Sequence, residues 1–95
     1  MYSQLVKVIN PSGLHARPAA EFVKAAKSFA CKTYIRNVDT QRPAVNARSI
    51  TRIMGEGMSM NTTVEISADG EDEKEAVNCL VKLVASGFGE VPEVK

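Results

Sequence analysis

The chain has 95 residues, of which 44% are hydrophobic and 24% are charged, and its formal net charge is +1. This composition is typical of one folded domain and excludes a disordered chain. The near-neutral charge argues against a general nucleic-acid binder, which usually has a strong basic excess. The sequence contains no apolar run long enough to cross a membrane and no signal peptide, so we expect a cytoplasmic protein without membrane insertion.

The residues that most often bind metals are few. Cys31 and Cys79 lie too far apart in sequence for a zinc knuckle or a CxxC redox pair, and His15 is the only histidine. We therefore expect neither a metal nor a cofactor. Each cysteine is flanked by residues of an amphipathic element, so both are expected to be buried free thiols.

The first predicted element is a strand over residues 2–9, with Val6 and Val8 facing inward. A helix follows from Ala16 to about Ser28. Its apolar face has three- and four-residue spacing and consists of Ala19, Phe22, Val23, Ala26 and Ala30. The opposite face carries Arg17, Ala20, Lys24 and Lys27. This helix is expected to bury one stripe and to expose a basic one.

His15 lies where the loop over residues 10–15 meets this helix. Pro11, Ser12 and Gly13 are turn residues, and the proline after His15 fits a first helical turn. The N–H groups that open a helix, its dipole and the nearby arginine favour a bound anion, most naturally phosphate. A neutral imidazole is a nucleophile near pH 7, so this turn combines a nucleophile with a phosphate site. The alternative is a surface or capping histidine without chemistry.

The middle of the chain alternates short elements. Strands are predicted over residues 31–37 and 43–46, and Pro43 favours an edge position for the second of them. A short helix is predicted over residues 48–54 and is expected to end at the glycines that follow. Its N-cap is either of two polar residues, Asn46 or Ser49. A further strand is predicted over residues 62–67.

The last predicted helix begins after Gly70, with acids at residues 71–73 in the first turn, where the helix dipole favours them. It ends at Gly87 and Gly89, and residues 90–95 are expected to be a frayed tail. Its buried stripe consists of Ala76, Val77, Leu80, Leu83 and Val84. The order β-α-β-β-α-β-α predicts an α+β fold with helices on one face of an antiparallel sheet. Periodicity leaves the strand order open, and a ferredoxin-like sheet fits the first six elements equally well.

The segment GLHARPA at residues 13–19 resembles the active-site segment of HPr. HPr is the histidine-containing phosphocarrier protein of the bacterial phosphoenolpyruvate-dependent sugar phosphotransferase system. The likeness continues through residues 22–27, 48–50, 66–73 and 76–83, so it covers nearly the whole chain in order. It implies an HPr-like open-faced β-sandwich over residues 1–95, with strand order 1-4-2-3 and three helices on one face.

The resemblance also implies a mechanism. His15 is expected to accept a phosphoryl group on Nδ1 from the phosphohistidine of enzyme I and to pass it to the A component of a sugar permease. Arg17 is expected to pair with the phosphate, and the backbone amides of Ala16 and Arg17 to hydrogen-bond it. The protein is then a monomeric carrier with a covalent phosphohistidine and no substrate turnover of its own.

A docking face for acidic partner surfaces follows from the same resemblance. Its apolar part is expected to consist of Ala20, Ile50, Met54 and Met58, and its basic rim of Arg17, Lys24, Lys27, Arg48 and Arg52. The sequence departs from the usual HPr pattern at Thr51, where a bulky apolar residue is common, and at Glu56, where relatives are mostly neutral. Residues 37–44 are about three residues longer than in common HPr sequences. We expect the first two departures to change the recognition of partners.

Ser49 matches the serine that an HPr kinase/phosphorylase modifies in low-GC Gram-positive bacteria, where the phosphoserine form binds the catabolite control protein. Ordinary helix capping is the alternative for this serine. Three functions compete with a sugar phosphocarrier. One is a regulatory HPr paralogue that acts by protein binding and lacks the active-site histidine. The others are a carrier in a nitrogen- or dihydroxyacetone-linked phosphorelay and a hydrolase that uses His15 as acid or base.

Overall fold

In the computed structural model, which describes residues 1–89, strands and helices alternate in the predicted order. The elements are β1 (Tyr2–Lys7), α1 (Ala16–Lys27), β2 (Lys32–Asn37), β3 (Val45–Asn46), α2 (Ile50–Gly55), β4 (Thr63–Asp69) and α3 (Glu73–Ala85). Two short 3-10 segments, Val38–Thr40 and Gly87–Gly89, follow β2 and α3. The tail predicted at residues 90–95 lies outside the described residues.

The four strands form one sheet in the order β1-β4-β2-β3, and all neighbours are antiparallel. In the register, Ile66 of β4 is flanked by Gln4 of β1 and Ile35 of β2. This order confirms the fold that the resemblance implies, and it settles the strand order, which periodicity left open. β3 lies at the edge as predicted, but it is only two residues long and Pro43 falls outside it.

The core lies between one face of the sheet and the helices. Alternate residues of β4, namely Val64, Ile66 and Ala68, are fully buried because successive side chains of a strand point to opposite faces. Helices α1 and α3 supply the opposing layer with Ala19, Phe22, Val23, Ala26, Ala76, Val77, Leu80 and Val84. Helix α3 packs on β1 and β4, whereas α1 packs on α3 and α2. The predicted stripes are confirmed at these positions.

Two predictions about burial are wrong. Ala30 is exposed because α1 ends at Lys27, so the helical spacing that placed Ala30 on the apolar face no longer applies. Cys79 is also exposed, since it lies on the outer side of α3 next to the buried Leu80, whereas Cys31 is buried as predicted.

The structure also bears on membranes and metals. Over residues 1–89, each helix is too short or too polar to span a bilayer. The same residues contain no cluster of three or more histidine, cysteine, aspartate or glutamate side chains that could hold a metal ion.

Candidate functional site

His15 is the N-cap residue of α1, so the predicted junction between loop and helix is confirmed. Its backbone is extended, with φ −141° and ψ 150°, and its side chain makes no capping hydrogen bond. The residue is exposed. The imidazole is therefore presented to solvent at the positive end of the α1 dipole, where an incoming phosphoryl group is favoured.

A β-turn precedes the histidine. The carbonyl oxygen of Asn10 accepts a hydrogen bond of 3.0 Å from the N–H of Gly13, with Pro11 at the second position of the turn. Asparagine, proline and glycine are the residues that a type I turn favours at these places. Gly13 has φ 65°, and a Cβ on it would lie 2.5 Å from the carbonyl oxygen of Met58, so this position requires glycine.

The loop is anchored in the core by the residue directly before His15. Leu14 is 1% exposed, and its N–H donates a hydrogen bond of 2.7 Å to the carbonyl oxygen of Met58. In extended backbone, neighbouring side chains point in opposite directions. The burial of Leu14 therefore directs His15 outward.

The first turn of α1 contains a strained residue. Ala16 has φ 49°, in the left-handed region that residues with a Cβ rarely adopt. Such a conformation costs about 1–3 kcal/mol and persists only where the surrounding structure holds it. The N–H groups of Ala16 and Arg17 belong to the first turn, which has no acceptors for them within the helix, and Pro18 has no N–H. The arrangement suits the predicted phosphate-binding amides.

Arg17 follows along α1 and forms an ion pair with Glu21, with 3.2 Å between Nη1 and Oε1. Both side chains are largely exposed, at 59% and 41%. Surface pairs spaced four residues apart on a helix are worth about 0.3–0.5 kcal/mol. The ion pair with Glu21 by itself therefore holds the Arg17 guanidinium only weakly.

A shallow depression of about 220 Å³ adjoins the histidine. Its lining consists of Ser12, Leu14, His15, Met54, Gly57, Met58 and Ser59. The structure thus brings His15 next to the end of α2, which is almost forty residues further along the chain. Two of the predicted docking residues, Met54 and Met58, thus line the same depression as His15.

Most predicted docking residues are accessible. Ala20, Lys24 and Lys27 on α1, and Ile50 and Arg52 on α2, are exposed, while Met54 is half-buried. The two helices pack against each other, so these residues lie on neighbouring helices. Thr51 is exposed between Ile50 and Arg52.

Two residues predicted for this face have structural contacts instead. Met58 is only 3% exposed, and its side chain belongs to the core. Arg48 is half-buried, and its Nη2 donates hydrogen bonds to the carbonyl oxygens of Phe29 and Cys31, at 2.5 and 3.1 Å. Core packing engages the Met58 side chain and backbone hydrogen bonds engage Arg48, so both are less available than predicted. A contribution of either residue to docking stays a prediction.

Glu56, predicted to change partner recognition, is largely withdrawn from solvent. Its side chain is 12% exposed, and its Oε2 lies 3.7 Å from Nη1 of Arg42 in the longer segment between β2 and β3. Its carbonyl oxygen accepts a hydrogen bond of 3.2 Å from Nδ2 of Asn37. The ion pair thus connects two departures from the usual HPr pattern, Glu56 and the longer segment over residues 37–44. Because Glu56 is paired and mostly buried, it adds little negative charge to the accessible surface.

Ser49 is the N-cap of α2 and is half-buried. Its Oγ accepts a hydrogen bond of 3.4 Å from the N–H of Arg52. The prediction that this serine can cap the helix is confirmed. A phosphate on Oγ would lie close to Ile50 and Arg52.

A second nucleophilic side chain has the opposite environment. Burial raises the pKa of the Cys31 thiol from 9.0 to about 11, and the hydrogen bond to Asp72 and its charge act in the same direction. The Asp72 carboxylate also accepts hydrogen bonds from the N–H groups of Ala30 and Cys31, at 3.0 and 3.1 Å. The hydrogen bonds from Cys31 and Ala30 lower the pKa of the Asp72 carboxyl. Burial and the Asp72 carboxylate therefore disfavour the thiolate form of Cys31, which is the nucleophilic one.

Sequence comparisons agree with the geometry. The family model described as "PTS HPr component phosphorylation site" matches residues 2–86. The phosphocarrier protein HPr of Haemophilus influenzae is 42% identical over 84 residues, which cover 88% of this chain and 95% of that protein. A multiphosphoryl transfer protein of the same organism is 37% identical over 81 residues, which cover 85% of this chain but only 16% of that protein.

A solved structure has the same fold. HPr-C-His from Thermoanaerobacter tengcongensis superposes with a TM-score of 0.87 at 40% sequence identity. The match covers 99% of this chain and 100% of the other. The similarity therefore extends over the whole fold and is not confined to the segment around His15.

Proposed function

We propose that this chain, which belongs to the HPr family of the phosphotransferase system, relays phosphoryl groups through His15. Nδ1 of His15 would attack the phosphorus of the phosphohistidine on enzyme I. The new N–P bond forms as the donor's N–P bond breaks, and the donor nitrogen keeps the electron pair. The A component of a sugar permease would then take the group from His15. The chain itself would be a carrier rather than an enzyme.

The observation that carries this proposal is the exposed imidazole at the opening of α1. Phosphoryl transfer requires mainly positioning and charge stabilisation. The first-turn amides of Ala16 and Arg17 and the Arg17 guanidinium supply that stabilisation from the same turn of chain. They bind the phosphate by hydrogen bonds, so it remains free to leave with the next partner.

Partners would bind around His15. The exposed Lys24, Lys27 and Arg52 lie on the same two packed helices as the apolar Ala20, Ile50 and Met54. Such a surface favours acidic partners and fast exchange between them. Enzyme I and the permease A component would use the same face in turn, with the chain acting as a cytoplasmic, single-domain monomer. An exposed histidine at the helix start speaks against the regulatory paralogue, which lacks that residue.

Incubation with enzyme I and phosphoenolpyruvate tests the proposal. Intact-mass measurement should show one added phosphate that is acid-labile and absent from His15→Ala. A Cys31→Ser variant serves as the matched control and should be phosphorylated as the wild-type chain is. An unlabelled wild-type chain with an enzyme I active on another carrier would contradict the proposal.

We also propose Ser49 as a regulatory phosphorylation site for an HPr kinase/phosphorylase, with the catabolite control protein as the partner of the phosphoserine form. A phosphate there would place negative charge within the docking face and repel acidic partners. The informative variant is Ser49→Asn, because asparagine keeps the cap and removes the hydroxyl. ATP-dependent, acid-stable phosphate should appear on the wild-type chain and be lost in Ser49→Asn. Its persistence in the variant, or its absence from the wild-type chain with an active kinase, would refute the proposal.

A further inference from the structure

The peptide group between Gly13 and Leu14, directly before His15, is held at both of its polar atoms. Its carbonyl oxygen accepts a hydrogen bond of 2.8 Å from Nδ2 of Asn10. Its N–H donates a hydrogen bond of 2.7 Å to the carbonyl oxygen of Met58. Because the peptide group is planar, it cannot rotate without weakening both bonds. The two contacts, which we call the Gly13–Leu14 clamp, fix the plane from which Leu14 and His15 extend.

Asn10 supplies the side-chain half of the clamp from a buried position. The residue is 0% exposed, and its own carbonyl oxygen accepts the hydrogen bond that closes the turn at Gly13. Asparagine thus bonds the same glycine through main chain and side chain. A buried hydrogen bond of this kind is shielded from competition with water, so it restrains the chain more than an exposed turn contact would.

The clamp also lies beside the strained part of the site. Ala16, with φ 49°, follows Leu14 by two residues, and only His15 separates the anchored leucine from it. The left-handed conformation needs surroundings that hold it. The hydrogen bonds with Asn10 and Met58 hold the loop backbone that leads into Ala16.

We propose that Asn10 is a positioning residue for phosphoryl transfer: by holding the Gly13–Leu14 peptide, it fixes the direction in which His15 meets the phosphorus. This inference rests on the function proposed above. Asn10 is fully buried, so it offers no surface to a docking partner. Its loss should therefore slow the chemical step and leave partner binding nearly unchanged.

The test compares Asn10→Ala with Asn37→Ala. Asn37 is also a buried asparagine, 3% exposed, and its side chain also bonds backbone groups, donating to the carbonyl of Glu56 and accepting from the N–H of Asp39. Those contacts lie outside residues 10–16. Asn10→Asp is the second variant, because it keeps the shape and the turn preference but replaces the donor by an acceptor.

The first measurement needs no partner protein. Hydrogen exchange by NMR should show the Leu14 amide exchanging on the order of tenfold faster in Asn10→Ala, relative to the amides of β4 that report global opening. Asn10→Asp should change it in the same direction, and Asn37→Ala should leave this ratio unchanged. An unchanged Leu14 ratio in both Asn10 variants would overturn the inference.

The second measurement is the steady-state kinetics of the chain as a substrate of phospho-enzyme I. Asn10→Ala and Asn10→Asp should lower kcat on the order of tenfold with KM within about twofold. Asn37→Ala should leave both constants unchanged. Faster Leu14 exchange with an unchanged kcat, or an equal loss in Asn37→Ala, would overturn the role of Asn10. A wild-type chain that accepts no phosphate would instead overturn the proposed function, whatever the exchange data show.

Discussion

Helix α1 has a nucleophilic side chain near each end, and the two differ in almost every respect. His15 caps the start of the helix, is exposed and lies two residues from an arginine. Cys31 follows the end of the helix, is 4% exposed and lies against the Asp72 carboxylate. The positive end of the helix dipole favours an anion at His15, whereas burial and the carboxylate disfavour a thiolate at Cys31. Charge and exposure, more than residue type, distinguish the two positions.

The largest expected effect is on thiol chemistry. With the pKa of Cys31 raised from 9.0 to about 11, its thiolate fraction at pH 8 falls about a hundredfold, and burial slows reagents further. In Cys79→Ser, iodoacetamide should therefore alkylate Cys31 at least a hundredfold more slowly in native buffer than in urea. Cys31→Ser controls for the reagent, since the exposed Cys79 should react readily. Native Cys31 labelling within tenfold of the unfolded rate would remove the contrast with His15.

The next largest effect is the loss of stability when Gly13 or Gly70 is replaced by alanine. A Cβ on Gly13 would lie 2.5 Å from the Met58 carbonyl oxygen, and one on Gly70 would lie 2.6 Å from Cβ of Cys31, both with positive φ. Each Gly→Ala change should destabilise the fold by about 2–3 kcal/mol in urea unfolding. Only Gly13→Ala should also slow phosphoryl transfer, because only it displaces the loop of His15.

Gly55→Ala is the control for these variants. Apart from its chain neighbours and the backbone of its own helix, no atom lies within 4 Å of a Cβ placed there. Alanine should therefore be neutral or stabilise the fold by up to about 1 kcal/mol. Equal losses of phosphoryl transfer in the variants at positions 13 and 70 would show that the two ends of α1 are not independent.

Arg17→Gln should have a smaller effect, on the rate of phosphoryl transfer through His15. Loss of a charge-assisted hydrogen bond from an exposed side chain should lower kcat for phosphoryl transfer about tenfold. Arg17→Lys should restore only part of it, since lysine cannot bind phosphate through two parallel hydrogen bonds. Lys74→Gln, at an exposed lysine near the start of α3, should leave kcat unchanged. A normal kcat in Arg17→Gln would assign the stabilisation of phosphate to the helix amides alone.

The smallest expected effect is a change in the pH dependence of stability, and it arises at Asp72, next to Cys31. The pKa of Asp72 is lowered in the fold by its hydrogen bonds, so its contribution to stability is present above its ordinary pKa of 3.8 and is lost as pH falls through the lower folded value. The stability difference between the wild-type chain and Asp72→Asn should shrink between pH 6 and pH 2 in urea titrations. The variant should also lower the pKa of Cys31 toward 9.0, because the carboxylate helps to raise it. A difference that grows at low pH would contradict this role.

Local patterns predicted much of the fold. The three- and four-residue spacing in α1 and α3 identified the buried stripes, and the turn residues before His15 located the helix start. The same spacing failed at Ala30, because periodicity does not reveal where a helix ends. It also failed to show that Cys79 faces solvent, since an apolar residue next to a buried position can lie on either side of the stripe boundary.

By itself, the sequence determined which chemistry is present: one histidine at a helix opening, an arginine in the first turn and a basic helix face. Only the tertiary structure decided how these groups are held and which other side chains make contacts within the fold. Met58 packs under the His15 loop, Arg48 bonds the backbone after α1, and Asp72 holds Cys31 from about forty residues away. Hydrogen bonds such as these join segments that are distant in the chain. The packing of the helices on the sheet decides which segments meet, and residue spacing within one segment does not predict it.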